Sequence, residues 1–140
     1  MNLFVYGSLQ FADVWYVVTG TRPRTEPAHL QDHCVRGVRG ASYPALVRRA
    51  GDVAPGRLVR GVSRRALRRL DAFEGASYAR RRVVVGTAHG RAAACVYAWH
   101  PAVRARLSDS GWDAAAFDLY HRRRFAAYWR RRLRRTPNCV

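Results

Sequence analysis

Leu3-Phe4-Val5-Tyr6-Gly7-Ser8-Leu9 opens the chain as an apolar run stopped by a glycine, and Leu70-Asp71-Ala72-Phe73-Glu74-Gly75 ends its most regular helical pattern. The first segment predicts a short buried strand followed by a turn, where consecutive backbone N–H groups can converge on an anion. The second belongs to a helix over Arg64 to Phe73. Its apolar residues Ala66, Leu67, Leu70 and Phe73 share one face, and Arg64, Arg65, Arg68 and Arg69 fall largely on the other. Ser63 is its N-cap and Gly75 its C-terminal stop. Glu74, one of two glutamates in the chain, then sits at the partly negative end of the helix, where ionisation is costly. A glutamate at a helix end is commonly only solvated, and a glycine after a strand is commonly only a turn. Together, an anion cradle and one well-placed base outline a small-molecule site.

Around these segments the pattern alternates strand and turn. Asp13 is a suitable N-cap for a short helix over Val14 to Val18, stopped by Gly20. Thr21 to Pro27 reads as loop, Ala28 to Val35 as a strand, and Gly37 and Gly40 as breaks. Tyr43 to Val47 begins as an irregular edge at Pro44 and becomes a strand, Ala50 to Ala54 reads as a turn, and Gly56 to Val62 as a strand. Arg81 to Thr87 and Arg91 to Trp99 form two strands joined at His89-Gly90, with unbroken apolar runs that predict burial on both faces. A last helix spans about Asp113 to Leu133, with Phe117, Tyr120, Phe125, Tyr128, Trp129 and Leu133 as its apolar stripe. The expected fold is α+β: a small, partly closed mixed β-barrel of about six strands with flanking helices.

The 140 residues fit one domain, 1–140, and a hydrophobic share of 49% supports a folded core. No apolar stretch reaches the ~18 residues of a membrane span, and the N-terminus reads as a strand without a basic leader. Cys34, Cys95 and Cys139 are scattered, with no CxxC spacing, which fits a reducing cytoplasm. The net charge is +17, and all 26 basic residues are arginine. Such a surface attracts polyanions non-specifically. The absence of lysine and the even spread of arginine instead resemble the coding bias of GC-rich bacteria.

Other chemistries lack their motifs. Ser8 is not in a GxSxG elbow, the five histidines show no HExxH spacing, and neither a phosphate-binding GxxxxGK[ST] nor a GxGxxG is present. No metal or cofactor is expected. Asp13, Asp109 and Asp113 read as caps or turn residues, and Asp32, Asp52, Glu26 and Asp118 as exposed or loop residues. Asp71 and Glu74 remain, neighbours on one helix end.

Five short segments, in order, resemble the γ-glutamylcyclotransferase-like family, which includes the avirulence-induced proteins and the γ-glutamylamine cyclotransferases. They are Leu3 to Leu9, Tyr43 to Val47, Leu70 to Gly75 with Tyr78 and Arg80, Val96-Tyr97, and Trp112-Asp113 with Phe117 and His121. The resemblance implies a small mixed barrel that cyclises a γ-glutamyl compound to 5-oxoproline and releases an amine or amino acid. By that analogy the backbone of Tyr6, Gly7, Ser8 and Leu9 holds the substrate α-carboxylate, and Glu74 is the general acid/base. Tyr43, Tyr78 and Arg80 are candidates for the shell around the site; Tyr78 and Arg80 either touch substrate or brace Glu74, and bracing is the expectation, because strand residues beside a base usually serve packing. The partner is then a small γ-glutamyl molecule, with no membrane involved. Two departures bear on substrate access: the aromatic stretch Gln10 to Thr19, with Phe11, Trp15 and Tyr16, and a rim of arginines that would favour anions.

Two further readings follow from the residues. The same fold could bind a ligand without turning it over, which would appear as binding without product. A basic nucleic-acid binder is also conceivable from the last helix, but its aromatic residues lie on the apolar stripe rather than among the arginines, where stacking would need them.

Overall fold

The strand β1, Leu3–Val5, is three residues long and at most 3% exposed. It lies between two partners, β3 (Pro44–Val59), which it pairs antiparallel, and β5 (Gly90–Trp99), which it pairs parallel. A strand covered on both faces needs apolar residues in succession, which is why Leu3-Phe4-Val5 does not alternate. The computed structural model describes residues 1–134, so Cys139 lies outside the described residues.

The remaining elements are α1 (Ala12–Thr19), β2 (Thr25–Val38), α2 (Arg64–Glu74), β4 (Tyr78–Thr87), β6 (Leu107–Gly111), α3 (Ala114–Tyr120) and α4 (Arg122–Arg134). A single turn of 3-10 helix occurs at Ser8–Gln10, and a kinked 3-10 segment at Pro101–Arg106. The strand order is β3-β1-β5-β4-β2-β6, and β2 also pairs with β3. That second pairing closes five strands into a barrel and leaves β6 as an extra strand on β2. The interior holds Phe4, Tyr6, Leu30, Leu46, Leu58, Val85 and Val96. The other face of β1 and β5 packs through Leu3, Val5 and Tyr97 against α1, α2 and α4, where Trp15, Leu67, Leu70 and Ala126 are buried. Closure brings backbones close: a Cβ on Gly56 would stand 2.4 Å from the carbonyl oxygen of Val5.

Several expectations need correction. Residues 50–54 do not turn; β3 runs through them, and β2 begins before Pro27. The irregularity is absorbed as a bulge, with a register shift between Gln31 and His33, Asp32 at φ 60°, and the Asp32 carboxylate accepting from the Gly51 amide at 3.0 Å. Long-range pairing overrides the local turn signal. β4 is covered on one face only, since Val84 is 49% exposed, whereas β5 is buried from Ala94 to Trp99. Asp13 is not the cap of α1; Phe11 holds that position, and Asp13 in the first turn pairs with Arg122 of α4. The last helix breaks at His121, and Tyr120 (68% exposed) and Tyr128 (50% exposed) lie outside the core.

Candidate active site

The site grows from the end of β1. Gly7 follows the strand, and the 3-10 turn over Ser8–Gln10 begins with the Gln10 amide donating to the Gly7 carbonyl at 3.1 Å. The first amides of such a turn have no acceptor within it. Those of Ser8 and Leu9 therefore have no backbone acceptor among the described residues. Gly7 is required for space rather than for a left-handed backbone: its φ is −125°, but a Cβ there would lie 2.6 Å from the Pro44 ring. Pro44 is in turn fixed by the Tyr78 hydroxyl, which donates to its carbonyl at 2.6 Å.

Glu74 is the last residue of α2. The sequence builds that helix end as expected: the Ser63 hydroxyl accepts from the Ala66 amide at 3.1 Å, and the Gly75 amide donates to the Asp71 carbonyl at 3.2 Å. Asp71 and Glu74 then separate. The Asp71 carboxylate accepts from the Tyr97 hydroxyl at 2.6 Å and lies 3.6 Å from the Arg80 guanidinium. Glu74 instead lines a cavity of about 240 Å³, together with Tyr6, Gly7, Ser8, Leu9, Tyr43 and Tyr78. Burial, with the Asp71 charge adding to it, pushes its carboxyl up to about 8. Burial also raises the hydroxyls of Tyr6, Tyr78 and Tyr97, each with the Glu74 charge contributing, so all three remain neutral donors. The Tyr6 hydroxyl donates to the Tyr97 carbonyl, which ties the strand before the turn to β5.

The turn Tyr6 to Leu9, Glu74, Tyr43 and Tyr78 thus meet at one cavity. Arg80 does not line it and engages Asp71, so its contact is with the neighbouring carboxylate. Phe11, Trp15 and Tyr16 do not line it either; Trp15 is in the core and Phe11 packs on Phe117. Sequence reasoning missed the far wall. Phe125 and Trp129 from α4, with Phe73 and Tyr97, complete the lining. Their place on the apolar stripe signalled burial but not that they would face a cavity. Among the described residues no three His, Cys, Asp or Glu side chains cluster to hold a metal.

A closed five-stranded barrel carrying a carboxyl beside a glycine turn defines the cyclotransferase-like class of fold. Residues 3–114 match the family described as "Gamma-glutamyl cyclotransferase, AIG2-like", and the chain belongs to that family. AIG2-like protein D of Arabidopsis thaliana is 34% identical over 84 residues, 60% of this chain and 55% of that protein. AIG2-like protein A of the same plant is 36% identical over 85 residues, 61% of this chain and 50% of that protein. The match thus spans about half the length of these relatives. An A. thaliana protein solved in solution superimposes with a TM-score of 0.70 at 27% identity, covering 98% of this chain and 84% of that one. A structure named gamma-glutamyl cyclotransferase gives 0.62 at 19% identity, covering 71% and 66%, and shares the fold.

Proposed function

We propose that the protein is a γ-glutamyl cyclotransferase in which Glu74 is the general acid/base and the Tyr6–Leu9 turn holds the substrate α-carboxylate. One observation carries the reading: a carboxyl raised to about 8 lines the same small cavity as a turn whose Ser8 and Leu9 amides have no backbone acceptor among the described residues. An α-ammonium cannot attack a carbonyl, so a base must first remove a proton. Glu74 is mostly protonated at neutral pH in the empty cavity, and an ammonium placed beside it favours its ionised form. The freed α-nitrogen attacks the γ-carbonyl carbon, a five-membered C–N bond forms, and the old amide C–N bond breaks. Two protons pass in all from the α-nitrogen to the leaving nitrogen, which departs as an ammonium, and no water is consumed. Glu74 relays them. Tethering nucleophile and carbonyl in one bent substrate supplies much of the acceleration, and turn amides can stabilise the developing oxyanion.

Release of 5-oxoproline from γ-glutamyl amino acids, γ-glutamyl-ε-lysine, glutathione and γ-glutamyl amines tests this. Glu74→Gln is expected to lower turnover by roughly 10²–10⁴-fold. Wild-type turnover in that variant would reject the base. Silence of the folded wild-type protein across the panel, with substrate still bound, would favour the ligand-binding reading instead.

A further inference from the structure

The chain carries 26 arginines, yet none is among the described residues that line the cavity. Its ionisable lining is Glu74 and the tyrosines Tyr6, Tyr43, Tyr78 and Tyr97. In a protein of net charge +17, a concavity without arginine runs against the composition. The wall beyond Glu74 is aromatic. The rings of Phe73 and Trp129 meet edge-on with centroids 4.7 Å apart, and Phe73 meets Phe125 at 6.1 Å and 84°. Phe73, Phe125 and Trp129 line the same cavity as Glu74, the carboxyl that must protonate the leaving nitrogen.

A substituent on that nitrogen that extends along this wall meets rings. A leaving amino acid would carry a carboxylate on the carbon next to its nitrogen. That anion would sit inside the cavity, near Glu74, with no cation among the described lining residues to meet it and much of its hydration lost. Arg106 and Arg124 line the adjoining outer depression with Tyr43, Phe125 and Trp129, and Arg106 is held at the cavity's edge, its Nη1 donating to the Ser77 hydroxyl at 3.4 Å. A leaving group ending in an ammonium fares little better, because the α-ammonium already occupies Glu74. A flat apolar group instead gains edge-to-face contact and buries its surface. The cavity, at about 240 Å³, lies below the ~300–1,000 Å³ of drug-sized sites, which limits the group to a compact one.

We propose that the leaving half of the substrate is a compact aromatic amine without a carboxylate, seated against Phe73, Phe125 and Trp129. The inference rests on the γ-glutamyl cyclotransferase reading and refines its substrate.

Three probes test it: γ-glutamyl-phenethylamine, γ-glutamyl-phenylalanine and γ-glutamyl-methylamine. The first two share the ring and differ in the carboxylate; the first and third differ in the ring. The phenethyl amide is expected to exceed both others at least tenfold in kcat/KM for 5-oxoproline release. In Trp129→Ala its advantage over the methyl amide should collapse, and Trp129→Phe should restore most of it, with thermal melts confirming folding. Equal or better turnover of γ-glutamyl-phenylalanine would overturn the inference and leave the cyclotransferase reading standing. So would an unchanged ratio in folded Trp129→Ala. Silence of all three, and of the wider γ-glutamyl panel, would remove the cyclotransferase reading and this inference with it.

Discussion

The aromatic cavity is about 240 Å³ and holds one carboxyl; a second concavity, between β2, β3, β4 and β5, is about 430 Å³ and is lined by Arg36, Arg48, Arg49, Arg81 and Arg104 over Leu46, Val47 and Ala98. Both open from the same barrel. The groove follows the composition of the chain, while the cavity departs from it. In the groove Arg36 pairs with Asp109 and Arg49 with Asp52, and neither Arg48 nor Arg81 has a carboxylate partner among the described residues. Arg81 instead donates to His33 Nε2 at 3.3 Å, whose Nδ1 faces the Gln31 carbonyl at 2.9 Å. Partial burial and the nearby Arg48 charge make its cationic form less favourable than usual. Arginine in this protein therefore marks where the chain tolerates charge, and its absence from the cavity marks where charge is controlled.

The largest expected effect that sharpens this contrast comes from Gly7→Ala. Its methyl group would press into the Pro44 ring, so the turn must shift. Overpacking of this kind costs about 1–3 kcal/mol, and a displacement near 1 Å at a reacting centre costs on the order of 10²-fold in rate. Urea melts and kcat/KM measure the two losses; unchanged kinetics would detach the turn from the site.

A smaller effect concerns pH. Burial raises the Glu74 carboxyl to about 8 in the folded protein from its ordinary 4.5, so between these values the folded state holds a proton there that the unfolded state has released. Stability is therefore expected to fall as pH rises from about 4.5 through 8, and Glu74→Gln should flatten that decline. Thermal melts at pH 5, 7 and 8.5 read it directly, each kcal/mol being worth roughly 2–8 °C. The acid limb of kcat/KM should inflect near the same value, about 8, with a fall at higher pH as the substrate ammonium titrates. A flat stability profile in the wild type would mean that Glu74 is ordinarily solvated.

The smallest expected effect is on the groove side. Arg48→Ala with Arg81→Ala should leave kcat/KM within about twofold, since neither residue lines the cavity. A large loss in a folded double variant would make the groove part of the site and erase the distinction.

Local signals explain which parts of the fold were readable. β1, α2 with its Ser63 cap and Gly75 stop, and the buried run of β5 each carry their instructions within a dozen residues. β2 and β3 do not. Pro27, Gly51 and Pro55 lie inside them, and only mutual pairing and barrel closure make those residues strand. β6 reads Leu-Ser-Asp-Ser-Gly, with no apolar alternation, and exists because β2 extends past the barrel and offers an edge. The break at His121 has neither glycine nor proline to announce it; it coincides with Arg122 reaching Asp13 across to α1. At the site, Glu74 and the glycine turn were legible because each ends a regular element. The wall from Phe125 and Trp129 was not, since an apolar stripe looks the same whether it meets a core or a cavity.

The parallel pairing of Leu3 with Cys95 and Phe4 with Val96 also sets an order of assembly. The β2–β3 and β4–β5 hairpins join neighbouring stretches and can form early, whereas β1 must wait for a partner some ninety residues away. The last described piece of the cavity lining, Trp129, comes later still. During synthesis the barrel hairpins thus emerge before the cavity can be walled, and a complete cavity is expected only after α4 has left the ribosome and docked.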